Sequence, residues 1–137
     1  MPLLHRLTGA ALCVFALVHG NAVHADWCPE PEPEQWRLLR ALHLPESQWQ
    51  FIDAISTQRV EAAEYIRAPR SQGDTVAFDA GLLVRKTGQK TWMSKVMPMR
   101  AICSEGRLER RSSDGTWSVY PGRPDTAVKV RWICALP

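Results

Sequence analysis

The chain has 137 residues, 45% of them hydrophobic, and its 17 Lys and Arg against 14 Asp and Glu give a net charge of +3. That charge demands no nucleic-acid partner, and the length points to one small domain. Four histidines and four cysteines restrict the metal and nucleophilic chemistry the chain could carry.

Residues 1–25 read as a secretory signal peptide. His5 and Arg6 form a short basic start, residues 7–18 an apolar run, and Val23-His24-Ala25 places small residues three before and one before a cut after Ala25. The run is shorter than the roughly 20 residues that span a bilayer. No later stretch is apolar enough, so no transmembrane segment is expected after processing. Neither Cys13, inside the run, nor Cys28, after Asp26-Trp27, sits in the setting of a lipid-modified cysteine. Export predicts the periplasm, or the secreted or cell-surface space, of a bacterium, where thiols oxidise. Processing removes His5, His19 and His24 and leaves His43. That excludes a multi-histidine metal site within one mature chain. Any Ser-His-Asp or Cys-His pair would have to use His43. His43 falls where a helix should end, and a cation there suits the helix dipole.

The rest, residues 26–137, reads as a single small α+β domain. Its charge is divided: residues 26–64 carry three Arg against eight acids, residues 65–137 thirteen Lys and Arg against six. Residues 26–33 form an extended lead, because Pro29, Pro31 and Pro33 oppose helix. Pro33 and Glu34 then suit a helix start, and Trp36, Leu39 and Leu42 predict one apolar face to about residue 43, ended by Pro45. Residues 46–67 are ambiguous. Trp49, Ile52 and Ile55 with Glu61-Ala62-Ala63-Glu64 favour a second helix on propensity, whereas Trp49-Gln50-Phe51 alternates like a strand.

After Gly73 the pattern becomes strands and turns. Thr75-Val76-Ala77-Phe78 and Leu82-Leu83-Val84 are short apolar runs, and Lys86-Thr87-Gly88-Gln89 reads as a turn. Residues 91–103 form a longer run in which Pro98 predicts an edge position or a bulge. Ser113-Asp114-Gly115-Thr116 and Pro121-Gly122 are further turns. Val128-Lys129-Val130-Arg131-Trp132 alternates cleanly and predicts a strand. Such short spacing suits an antiparallel meander. The expectation is a small antiparallel β-sheet with one or two N-terminal helices packed on it, tied by a disulfide.

Cys103 and Cys134 both end apolar β-like runs and are the expected bridge. Cys28 is then unpaired, bonded to a second chain, or an alternative partner in that bridge. Of the six tryptophans, Trp36, Trp49 and Trp132 are expected in the core, and Trp27 and Trp117, beside proline or turn sequence, are expected to be more exposed. Arg107-Leu108-Glu109-Arg110-Arg111 is the sharpest charge feature. Arg107, Arg110 and Arg111, with Trp117, are the candidate partner-binding residues, for an acidic protein or anionic polysaccharide. The same cluster equally describes a solvated hairpin edge. No catalytic pair of acids, phosphate loop, GxSxG turn or HExxH is present, so no catalytic residue, metal or cofactor is expected.

Phe51-Ile52-Asp53-Ala54-Ile55-Ser56 resembles the aromatic–Asp–x–Ser opening of the surface-adhesin protein E family. Ser94-Lys95 leading to Ile102-Cys103, then Arg107, then Tyr120-Pro121-Gly122 closing on Ile133-Cys134 extend that resemblance over residues 49–134. Asp114-Gly115-Thr116-Trp117 is similar to CNP1-like exported proteins. The resemblance implies an exported bacterial protein with a small antiparallel sheet and a helix, some members binding host ligands, and it places residues 51–56 in a strand and turn. It supplies no ligand-binding residue, and the helix at 33–43 has no counterpart in it. The leading functional expectation is a non-catalytic, adhesin-like binding module that contacts a protein or anionic polysaccharide through its basic β half. The alternative is a periplasmic inhibitor or immunity protein that blocks an enzyme.

Overall fold

A computed structural model describes residues 27–45, 47–121 and 124–137. The expected signal peptide, residues 1–25, and Gly122 of the third expected turn lie outside the described residues. The chain runs α1 (Glu34–His43), β1 (Gln50–Ser56), β2 (Val60–Gln72), β3 (Thr75–Lys86), β4 (Met93–Ile102), β5 (Arg107–Arg111), β6 (Trp117–Val119) and α2 (Thr126–Cys134). The strands form one six-stranded sheet in the order β1-β2-β3-β4-β5-β6, every neighbouring pair antiparallel. That is the expected meander. No helix among the described residues is long and apolar enough to cross a membrane.

Pro33 caps α1 in an extended conformation, and its carbonyl accepts from the N–H groups of Trp36 and Arg37 at 3.0 and 3.1 Å. Only part of the expected apolar face is used. Trp36 is buried and Leu39 half-buried, but Leu42 is 78% exposed. A three-residue spacing falls short of a 3.6-residue turn, so Leu42 lies about 120° around the helix from Trp36. Leu44, just past the helix end, fills the core in its place.

Two expectations are overturned. Of residues 46–67, the described 47–67 hold no second helix. They enter β1 and β2, with Phe51, Ala63 and Tyr65 buried on one face and Ile52, Ala62 and Ile66 on the other. Burial on both faces erases the polar–apolar alternation that marks a half-exposed strand. The residues at 128–132 are not a strand but the middle of α2. Val130 and Ile133, three apart, are the buried pair that seats this helix, and Cys134 at its end is bridged to Cys103 beyond β4. A five-residue alternation is too short to outweigh that packing.

The sheet therefore carries two cores. On one face α2 packs Val130 and Ile133 against Ile52, Ile66, Val76, Phe78, Met99 and Ala101. On the other, Trp36, Leu44 and Trp49 cover Phe51, Ala63, Tyr65 and Leu83. Gly81 makes the second packing possible, since a Cβ there would lie 3.0 Å from Trp49 Cζ3 and 3.1 Å from Leu44 Cδ1. Gly88 and Gly115, at φ +88° and +87°, form the turns expected at 86–89 and 113–116. The lead joins the two faces: Trp27 meets Trp132 of α2 edge-on at 5.9 Å, and Glu32 grips Arg40 of α1 at 3.0–3.2 Å.

Candidate functional site

The basic half of the chain converges on a gap in the sheet. β4 pairs with β3 along residues 93–102 but with β5 only along 99–102. Just beyond β4, Cys103 donates its N–H to Asp74 O beside β3 at 2.9 Å. Odd-numbered β4 residues thus bond toward β3 and even-numbered ones toward β5. Pro98, which has no N–H, falls on the outward side where β5 stops, the edge position its sequence predicted. Ser94 and Val96 then direct their N–H and C=O groups outward, where no strand of the described residues lies. Both are exposed, as are Met93, Lys95 and Pro98.

Beside this edge runs a shallow groove of about 600 Å³, walled by Lys95, Val96, Met97 and Pro98 on one side and by Arg110, Arg111, Ser112, Ser113 and Gly115 on the other. Lys95, Arg110 and Arg111 are exposed and form no ion pair with any described residue. The four binding candidates therefore separate. Arg110 and Arg111 line the groove. Arg107 is already held by Glu105 at 2.6 Å and by buried Glu109 at 3.2 Å. Trp117 is half-buried beneath Arg100, whose guanidinium lies 4.3 Å from the ring centroid while bonding Glu109 at 2.6 Å. Lys95 is the cation that sequence reasoning missed; Pro98 three residues later was the signal that its strand had an unpaired side.

The Arg100 arrangement recurs on the same face of the sheet. Arg67 covers Trp49 and pairs with Asp79, and Arg85 covers Trp92 and pairs with Glu61. Each guanidinium is desolvated by an indole and neutralised by a carboxylate, which suits a load-carrying surface more than an exchangeable site. Trp27, expected to be exposed, is half-buried against α2.

A second concavity, about 110 Å³, lies between α2 and the sheet, lined by Ile52, Phe78, Met97, Met99 and Leu108 with Glu64, Asp125 and Lys129 at its polar end. Lys129 is buried, and its Nζ lies 3.1 Å from Asp53, 3.2 Å from Asp125 and 3.7 Å from Glu64. Burial alone would lower the Lys129 pKa. The hydrogen bond to Asp53, the charge of Glu64 and Asp53 and the bond to Asp125 outweigh it, so the net shift is upward. The β1 bulge between Phe51 and Asp53 turns Asp53 toward this cluster. A lysine held so firmly in the charged state is unsuited to act as a base or nucleophile.

Cys103 and Cys134 form the expected disulfide, and Cys28 is a free, half-buried thiol. His43 ends α1. No group of three or more His, Cys, Asp or Glu among the described residues is placed to hold a metal ion. No protein-family model, no curated protein and no solved structure matches the chain.

Proposed function

We propose that this chain is an exported, non-catalytic binding module that takes an acidic segment of a partner protein into the groove beside β4. The observation that carries the reading is the convergence of Lys95, Arg110 and Arg111 on one concavity without a described carboxylate to neutralise them. Unpaired cations around a recess favour an anionic partner and steer its approach. Val96, Met97 and Pro98 in the same wall favour a polypeptide over a polysaccharide, because they offer apolar contact that a sulfated or carboxylated sugar does not use. The resemblance of residues 49–134 to an exported adhesin family agrees with a binding role in that compartment.

The test is fluorescence anisotropy with a labelled peptide of alternating Glu and Val, and with a heparin oligosaccharide. The peptide binds, and its affinity falls as salt rises. Reversing all three charges (K95E, R110E, R111E) weakens it at least about tenfold, while Arg107→Glu changes it less than about twofold. Heparin binding without peptide binding, or indifference to the triple reversal, refutes the reading.

A further inference from the structure

The geometry points to strand addition: the partner's acidic segment lies along the outward edge of β4, antiparallel to it and in line with β5, as an extra strand of the sheet. This rests on the groove reading above and adds to it the mode of binding.

The argument begins with the sheet's edges. An unpaired row of N–H and C=O groups is a template for another chain, and stable sheets blunt it. Here β1 is broken by a bulge and β6 has only three residues. The outer half of β4 lacks both devices. Ser94 and Val96 each direct an N–H and a C=O outward on the groove side. Where β5 would have continued to cover them, the chain instead turns away through Ser112 and Gly115, whose N–H donates to Ser112 O at 2.9 Å. β5, which already pairs with residues 99–102 of β4, sets the line that an added strand would continue.

Register then sets the occupant's chemistry. Lys95 is opposite Leu82 and Arg110 opposite Met99, so both cations flank the vacancy on the face that carries α2. Val96, opposite Gly81, lies on the other face, and Arg111, opposite Trp117, closes that side. A strand with acids at alternate positions on the first face, and β-branched residues on the second, satisfies both. The cations also repel a second copy of this edge, which would bring Lys95, Arg110 and Arg111 against their own kind.

Val96→Pro isolates this mode. It removes an outward donor, leaves the odd-numbered ladder to β3 intact, and copies the proline already accommodated two residues on. Anisotropy with the Glu-Val peptide is measured for the wild type, Val96→Pro and the triple charge reversal. A peptide of the same charge, N-methylated at alternate residues, is measured against the wild type. Strand addition predicts that Val96→Pro and N-methylation each weaken binding at least about tenfold, and that the peptide slows amide exchange at Ser94 and Val96. If both leave affinity unchanged while the triple reversal abolishes it, strand addition fails and the basic groove stands. If the peptide does not bind, or no variant matters, both fail. Should Val96→Pro unfold, the N-methylated peptide and amide exchange decide on the wild type. Self-association of the wild type that excludes the peptide overturns the proposal, since the edge would then serve a second copy.

Discussion

Replacing Lys129 by methionine probes the most heavily constrained charge in the domain. Methionine keeps the apolar stem that lies in the core and deletes only the ammonium. Three carboxylates, within 3.1–3.7 Å of that ammonium, are left facing one another. Removing one partner from a buried charge network costs about 3–5 kcal/mol. The side chains of Asp53, Glu64 and Asp125 are 38%, 29% and 43% exposed, so water offsets part of the loss. The low end, about 3 kcal/mol, is expected, and in a domain of this size it lowers Tm by about 12 °C. The assay is thermal unfolding followed by far-ultraviolet circular dichroism at pH 7 and at pH 4. Acid relieves the mutual repulsion left in the variant and weakens the ion pairs of Lys129 in the wild type, so the gap between them narrows as pH falls. A variant that melts within about 2 °C of wild type at pH 7, or whose deficit is unchanged at pH 4, refutes the account.

Gly81→Ala forces a Cβ to 3.0 Å from Trp49 and costs about 1–3 kcal/mol in a urea titration; an unchanged midpoint would mean that Trp49 yields freely. The Tyr65 phenol, pushed above its ordinary 10.0 by burial first and by the charge of Glu32 second, stays neutral in the folded state while the unfolded chain ionises. Stability is therefore retained below pH 10 and lost above it, as it also is for Lys129, whose ordinary value is 10.5. Tyr65→Phe flattens but does not abolish the fall in Tm between about pH 9 and 11; an identical slope would refute the assignment. Converting Cys103 and Cys134 to serine opens a loop with a sequence separation of 31 and costs about 3–4 kcal/mol by denaturant midpoint.

Where turn chemistry and cysteine placement governed the outcome, the sequence was legible. Gly88 and Gly115 took the backbone that only glycine adopts easily, Pro98 marked an unpaired edge, and Cys103 found Cys134. Where tertiary burial governed, it was not. Glu61-Ala62-Ala63-Glu64 has strong helix propensity, yet Ala63 is fully buried in a strand covered by the Trp36 cluster. Val128 to Trp132 alternates for a strand, yet Val130 and Ile133 pack as a helix. The candidate site was half visible: the cluster 107–111 stood out by charge, but register alone separated Arg110 and Arg111 from Arg107 and brought in Lys95 from another strand. Lys129, Asp53, Glu64 and Asp125 come together from three elements and the turn before α2, and no local pattern could have joined them.

The three guanidinium-covered indoles hold different parts of the sheet. Trp49 precedes β1, Trp92 sits in the β3–β4 connection and Trp117 begins β6. Each ring keeps its cation only while its own corner is folded. The domain thus comes with built-in optical reporters, and retaining one of these tryptophans at a time would turn a single fluorescence melt into a map of which corner opens first.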